Sequence, residues 1–417
     1  MSKFLIKGGK KISGKIKVSG SKNAILALLP ASLLVEGRVV FKNVPFIKDV
    51  ESMISVLRYL GAEVFFDNSN LIINTKNLEY KDLLIEEVKA LRASILFLGP
   101  VLFKFGKIKI WMPGGDVIGA RPIDSHLKGL SDLGAKFNIS DSLIEGKFKS
   151  FLSDNVILKE ISVTASETLI MSACFSKKPI NLRLIALEPH VQSLCRFLKK
   201  IGYEISGIGT HFLKIYKGRS LKKEVIFEVP FDYVEAATFL SLAPIVKDKL
   251  IIENAPIEDL DSVLIVSKEM NINLEVKNNS FILKKSNLKG TKIQTGIFPK
   301  FPSDAHPPFA VLATQATGVS LIHEWLYENR FGYLKEIEHM GANVEILDPH
   351  RAIIIGPTHL LGKDVRSLDI RAGIAVLLAG LMAEGETLIR EIEKIERGYE
   401  KIDERLNILG AEIKKLD

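Results

Sequence analysis

Cysteine is almost absent from this 417-residue chain: only Cys174 and Cys195 occur, each within helix-like apolar sequence. Such thiols fit a reducing compartment and buried side chains better than a disulfide framework. The eight histidines form no H-x-x-x-H pair and no C-x-x-C occurs, so a metal centre is not expected. A G-x-S-x-G elbow, a G-x-x-x-x-G-K-[ST] loop and a G-x-G-x-x-G turn are missing too, which leaves catalysis without metal or organic cofactor as the enzyme reading. Long apolar runs are lacking. "AILALLPASLLV" and "AGIAVLLAGLMA" fall short of the roughly 20 residues that span a bilayer, and the first holds a proline. The start "MSKFLIKGGKKISG" has no apolar stretch leading to a cleavage site, so a secretory signal is not expected. Extended Ser/Pro/Gln tracts are also missing, and the composition predicts a soluble, cytoplasmic globular protein. Net charge is +8, yet the longest basic clusters are pairs such as Lys199 and Lys200. That favours an anionic small substrate, with no nucleic acid, no membrane and no obligate protein partner expected.

What is present is a repeat. "YLGAEVFF", "DLGAKFNI", "KIGYEISG", "EMNINLEV", "HMGANVEI" and "ILGAEIKK" each join a helix-like pattern to a strand-like one, and most close the helix on glycine. Their leading residues Leu60, Leu133, Ile201, Met270, Met340 and Leu409 are separated by 73, 68, 69, 70 and 69 positions. Each unit opens on a small, apolar helical stretch, continues with a strand such as "GRVVFKNV" or "DKLIIENA", and then runs through an amphipathic helix such as "DVESMISVLRYLGA". Helices apolar nearly all round must be buried, and units this long are not a short-repeat solenoid. The pattern predicts an α/β (α+β) protein of two domains, each with three units of about 70 residues whose sheets wrap central helices. An ordinary doubly wound α/β protein is the alternative.

Candidate chemistry lies at the starts of the apolar helices. "VSGSKNAILALLP" places Lys22 and Asn23 where free backbone N–H groups and the positive helix end favour an anion, although a plain Ser/Asn cap explains the pattern as well. Arg92 occupies the corresponding place in "VKALRASILFLGP". "WMPGGDVIGARP" follows, with Gly114, Gly115 and Gly119 for close backbone approach, Asp116 in the turn and Arg121 before Pro122. Later helix starts carry Asp232 and Glu235, Asp304, Asp369 and Arg371, while "ENRF" contributes Glu328 and Arg330 and "IERGYEKI" contributes Arg397 and Tyr399. Singly these are cap, salt-bridge and surface signals. Together they recur at equivalent places.

"GSKNA", "LRASILFLGP", "PGGxxIGARPID", "FPxD", "ENRF" and "ERGYEKI", in this order across essentially the whole chain, resemble the UDP-N-acetylglucosamine 1-carboxyvinyltransferases of the enolpyruvyl transferase family. The resemblance implies a two-domain inside-out α/β barrel, with residues 1–20 and 231–417 forming one lobe and 21–230 an N-terminal lobe carrying the catalytic loop. It implies transfer of the enolpyruvyl group of phosphoenolpyruvate to the sugar 3′-hydroxyl, with loss of phosphate, as the first committed step of peptidoglycan synthesis. Lys22, Arg121 and Arg397 match the phosphoenolpyruvate clamp, with Arg92 and Arg371 as further members. Arginine suits such a clamp because its planar fork pairs two oxygens and stays charged. Asn23 matches a position touching both substrates, and Asp304 matches the carboxylate beside the 3′-hydroxyl, hence the candidate general base. Arg92, Arg121, Pro122, Ile123, Asp124 and Ser125, the run Ser162, Val163 and Thr164, and the backbone at Tyr327 align with contacts to the sugar nucleotide. The resemblance further implies substrates held between lobes that close on binding.

Asp116 departs from the pattern, because most of the family carries a reactive cysteine there. A carboxyl is ordinarily a far stronger acid than a thiol, so as a proton donor it needs neighbours that keep the proton on, and a bound phosphate would do so by like-charge repulsion. Leu187 and Tyr233 stand where arginine is common in relatives, and Thr164 where glycine is usual. An enolpyruvyl transferase acting on another acceptor, such as shikimate 3-phosphate, is the nearest alternative; a nucleic-acid-binding or RNA-end-processing relative of the fold is a more distant one.

Overall fold

Six helices end alike. Lys48–Tyr59, Asp124–Asp132, Pro189–Ile201, Asp261–Glu269, Gly332–His339 and Ile402–Ile408 run into Gly61, Gly134, Gly202, Asn271, Gly341 and Gly410, all at positive φ. A left-handed residue there lets the next N–H groups bond back into the last turn, as Gly61 N does to Arg58 O (2.9 Å) and Ala62 N to Leu57 O (3.0 Å). Asn271 is the side chain that tolerates this conformation best after glycine, and its Nδ2 donates to Asn287 O at 2.7 Å. The strand that follows is thereby aimed back along the helix.

The computed structural model of the chain describes residues 2–116, 118–218 and 221–416. Among them lie six sheets. In the first, Glu224–Glu228 runs parallel to Arg38–Lys42, which pairs antiparallel with Asn70–Asn74, and that strand pairs antiparallel with Glu63–Asp67. Four other sheets repeat this plan of one parallel and two antiparallel pairs. The sixth has three strands, and the single parallel bridge Leu83–Ile110 stands where the outer strand would be. Alternation sets the faces: in Lys3–Lys7, Phe4 and Ile6 are fully buried while Lys7 is exposed.

The apolar helices lie inside these sheets. Tyr233–Leu240 and His306–Ala313 are buried at every residue, as a helix without a polar face requires. Ile370–Met382 is their third partner. Lys22–Ala31, the 3₁₀-to-α run from Arg92 to Phe105, and Val163–Ala173 fill the other core. Each unit is an inside-out α/β barrel.

One unit comprises Met1–Ser19, Asp116–Ala120 and Phe231–Asp417, the other Gly20–Gly115 and Arg121–Pro230; they are called the C-terminal and N-terminal units below. The middle of the loop, Asp116–Ala120, groups with the C-terminal unit, whereas the sequence reading put the whole loop in the N-terminal lobe. Its residues bond to Arg397, Glu328 and Asn329, which explains that grouping. Both thiols are free and buried. Among the described residues no helix is long and apolar enough to cross a membrane.

Candidate functional site

Aspartates cap two inner helices of the C-terminal unit. Asp232 Oδ1 accepts from Val234 N (2.8 Å) and Glu235 N (3.0 Å), and Asp369 Oδ1 from Arg371 N (2.7 Å) and Ala372 N (2.9 Å), pairing donors that an open helix end leaves unmet. The second cap fixes where Arg371 departs from the backbone. Its guanidinium lies against Asp304: Nε and Nη2 reach Oδ2 at 3.1 and 3.0 Å, while Arg330 Nη2 takes Oδ1 at 2.6 Å. Burial alone would lower the Arg371 pKa, but Tyr399, Asp304 and Asp232 outweigh it and keep the group charged. Arg330 is 4% exposed, so Asp304 is the paired carboxylate that its buried charge needs.

Asp116 belongs to the same unit and forms an ion pair with Arg397, Oδ1 to Nη1 at 2.7 Å, rather than with the Arg121 that follows it in sequence. Glu328 holds the next turn of the loop: its Oε1 accepts from Ala120 N at 2.7 Å, and Asn329 N donates to Ile118 O at 3.1 Å. The Ala120 N–H holds the Glu328 carboxyl below its usual range. Tyr327 N donates to Glu324 Oε1 at 3.1 Å, and the Arg330 guanidinium lies 5.9 Å from the Tyr327 ring centroid.

In the N-terminal unit the glycines at the loop entrance permit backbone contact. A Cβ on Gly114 would sit 2.1 Å from Lys89 O, and one on Gly115 2.7 Å from Arg92 Cβ. Arg92 Nη2 donates to the carbonyls of Arg121 and Pro122 and so carries the loop's exit. Among the described residues no partner takes the half-exposed Arg121 guanidinium. Pro122 and Asp124 are exposed, and Ile123 and Asp124 open helix Asp124–Asp132. Ser125 Oγ donates to Glu160 Oε1 at 3.1 Å, and His126 Nε2 lies 2.9 Å from Thr164 Oγ1. Burial, then the Arg92 charge, pushes His126 down to about 3. Ser162 is the N-cap of helix Val163–Ala173, with Val163 and Thr164 in its first turn. Lys22 meets Asp49 at 2.7 Å with both side chains largely buried, and Asn23 is the one residue of its helix that is not buried.

The structure therefore brings Asp116 to Arg397 and Asp304 to Arg371 within one unit, and within the other gathers Arg92 with the backbone of Arg121 and Pro122, and sets His126, which follows Ser125, against Thr164. Sequence reasoning gave Arg330, Tyr399, Glu328 and Asp49 no site role. The first three stand in the quoted motifs "ENRF" and "ERGYEKI", which was their only signal. Asp49 had none: its place under Lys22 is purely tertiary.

The family model described as EPSP synthase (3-phosphoshikimate 1-carboxyvinyltransferase) matches residues 6–406. A UDP-N-acetylglucosamine 1-carboxyvinyltransferase of Campylobacter hominis is 40% identical over 415 residues, covering 98% of each chain. One of Borreliella burgdorferi is 36% identical, covering 100% of this chain and 99% of that protein. The chain belongs to the enolpyruvyl transferases, among the UDP-N-acetylglucosamine 1-carboxyvinyltransferases. Solved structures agree on the enolpyruvyl transferase fold: the enolpyruvyl transferase NikO from Streptomyces tendae superposes with a TM-score of 0.90 at 22% identity over 99% of this chain and 98% of that one. An EPSP synthase from Acinetobacter baumannii gives 0.76 at 19% identity over 100% of both.

Proposed function

We propose that the chain transfers the enolpyruvyl group of phosphoenolpyruvate to the 3′-hydroxyl of UDP-N-acetylglucosamine, releasing phosphate in the first committed step of peptidoglycan synthesis. Full-length likeness to proteins of that one activity carries this reading. By addition–elimination, C3 of phosphoenolpyruvate gains a proton, the 3′-oxygen bonds to C2 and gives up its proton, and the tetrahedral ketal then loses phosphate and a C3 proton. Lys22, Arg92, Arg121, Arg371 and Arg397 take the phosphate and carboxylate, and Asp304 is the base toward the hydroxyl. Asn23, Arg92, Arg121, Pro122, Ile123, Asp124, Ser125, Ser162, Val163, Thr164, Asp304 and the backbone at Tyr327 take the sugar nucleotide. A phosphate dianion competes with Asp116 for Arg397, and the Asp116 carboxyl so displaced is the group that shuttles a proton to C3 or to the departing phosphate.

The reaction places the enzyme in the cytoplasm, serving cell shape and division. Fosfomycin, which alkylates the cysteine of typical relatives, should leave this chain active, because a carboxylate is a much weaker nucleophile than a thiolate. The test is phosphate release with phosphoenolpyruvate and UDP-N-acetylglucosamine, each omitted in turn, and with shikimate 3-phosphate replacing the sugar nucleotide. Phosphate is expected only from the complete first mixture. Release with shikimate 3-phosphate alone as acceptor would reassign the substrate.

A further inference from the structure

Arg371 is held on the side away from Asp304 by a hydroxyl from a distant part of the chain. Its Nη1 donates to Tyr399 Oη at 2.9 Å, and Tyr399 Oη lies 2.9 Å from Thr238 Oγ1. Thr238 Oγ1 in turn lies 2.9 Å from Val234 O, one turn back in helix Tyr233–Leu240. A carbonyl only accepts, so the single Thr238 hydroxyl proton is committed to Val234 O. Toward Tyr399 the threonine can therefore only accept, and the tyrosine must donate. Every hydrogen bond in the row then points one way: Arg371 N–H to Tyr399 O–H, Tyr399 O–H to Thr238 O–H, Thr238 O–H to the Val234 carbonyl. Such a row is mutually polarising, and Tyr399 at 1% and Thr238 at 1% exposure leave water no share in it.

Asp304 occupies Nε and one N–H of Nη2, and Tyr399 one N–H of Nη1. Of the five guanidinium N–H groups, one on each terminal nitrogen is left by the described residues. Asp304 and Tyr399 together fix the plane in which those two N–H groups lie. The same short segment that carries Tyr399 also carries Arg397, paired with Asp116.

The geometry points to Tyr399 and Thr238 as positioning residues that orient the Arg371 guanidinium, and with it the two N–H groups still open, for an anionic group of the substrate. This rests on the proposed reaction, in which Arg371 binds phosphoenolpyruvate. Neither residue touches the reacting atoms; both act through Arg371.

Steady-state kinetics with each substrate varied separately test this. Tyr399→Phe should raise KM for phosphoenolpyruvate about tenfold, the effect of one lost buried hydrogen bond, while KM for UDP-N-acetylglucosamine stays within about twofold. Thr238→Val should act in the same direction, and Thr238→Ser, which keeps the hydroxyl, should restore KM toward the parent value. The threonine pair decides the matter if Tyr399→Phe does not fold. An unchanged KM for phosphoenolpyruvate in Tyr399→Phe or Thr238→Val, or equal rises for both substrates, overturns the assignment. A second readout is independent of turnover. In arginine-¹⁵N-labelled protein the two Nη1 protons of Arg371 should be resolved in the parent and exchange faster in Tyr399→Phe, while Asp304 still holds Nε and Nη2; rapid exchange at Nη1 in the parent would overturn the row. Absence of turnover in the parent, by contrast, rejects the reaction and leaves this readout to judge the row.

Discussion

Asp116 reaches Arg397 across 281 positions of sequence, and that contact holds its carboxylate in place. If Asp116 is the loop's acid, Asp116→Asn should lower kcat by about 100-fold or more, the usual weight of a general acid, and an active Asn variant would remove the role. Asp116→Cys should stay active and become sensitive to fosfomycin, with the adduct found on residue 116 by mass spectrometry. His126 bears on stability instead. Buried beside Arg92, it stays neutral down to about 3, whereas an unfolded histidine takes up its proton near 6.5. The unfolded chain therefore binds the proton first as pH falls, and stability declines from about pH 6.5 down to about 3, with no contribution above that window. On the order of 2 kcal/mol is lost between pH 6.5 and 5 by this group. His126→Gln, which can still bond Thr164 Oγ1, should flatten that slope in urea titrations run at several pH values.

Between inner helices the limiting distance is set by glycine. A Cβ on Gly99, in helix Leu98–Phe105, would lie 2.3 Å from Ser172 Oγ and 2.8 Å from Thr168 O of helix Val163–Ala173. Ser172 Oγ is already bonded to Thr168 O at 2.7 Å, and a backbone carbonyl cannot swing aside. Helix propensity alone would make Gly99→Ala stabilising by about 1 kcal/mol. Forced separation of two packed helices costs about 1–3 kcal/mol, so the melting temperature should fall, and a rise would show that the helices slide freely. The inner helices themselves were legible, because a stretch such as "AGIAVLLAGLMA" has no polar face to offer water and its repeat is set by local turn chemistry. Helix-start positions of Lys22, Arg92, Asp304 and Arg371 were legible for the same reason. Partners were not. Tyr399 meets Thr238 across 161 residues and Lys22 meets Asp49 through tertiary packing, and neither spacing leaves a mark on the local pattern.

The six repeats do not coincide with the ends of the chain. Lys3–Lys7 lies between Glu386–Arg390 and Ile413–Leu416, antiparallel to both, so the first strand completes the sheet of the last repeat. Ile12–Lys17 runs parallel to Val246–Glu253 and supplies the outer strand of the fourth. Together they bury Phe4, Ile6, Ile12, Ile16 and Val18. At about 1.5–3 kcal/mol per side chain this burial matches the whole stability of an ordinary domain, roughly 5–15 kcal/mol. A chain beginning at Gly20 should therefore lose the cooperative unfolding of the C-terminal unit. Trp325 reports on that unit once Trp111 of the other has been replaced by phenylalanine. Lys3 stands directly opposite Leu416 in the antiparallel register, so residues 2–19 rejoined behind Asp417 through a short turn of about two to five residues would form a hairpin in the native pairing. The permuted chain should regain the Trp325 transition and phosphate release together. A truncated chain that unfolds like the parent, or a permuted one that stays unfolded, would mean that these strands do not complete the sheets they join.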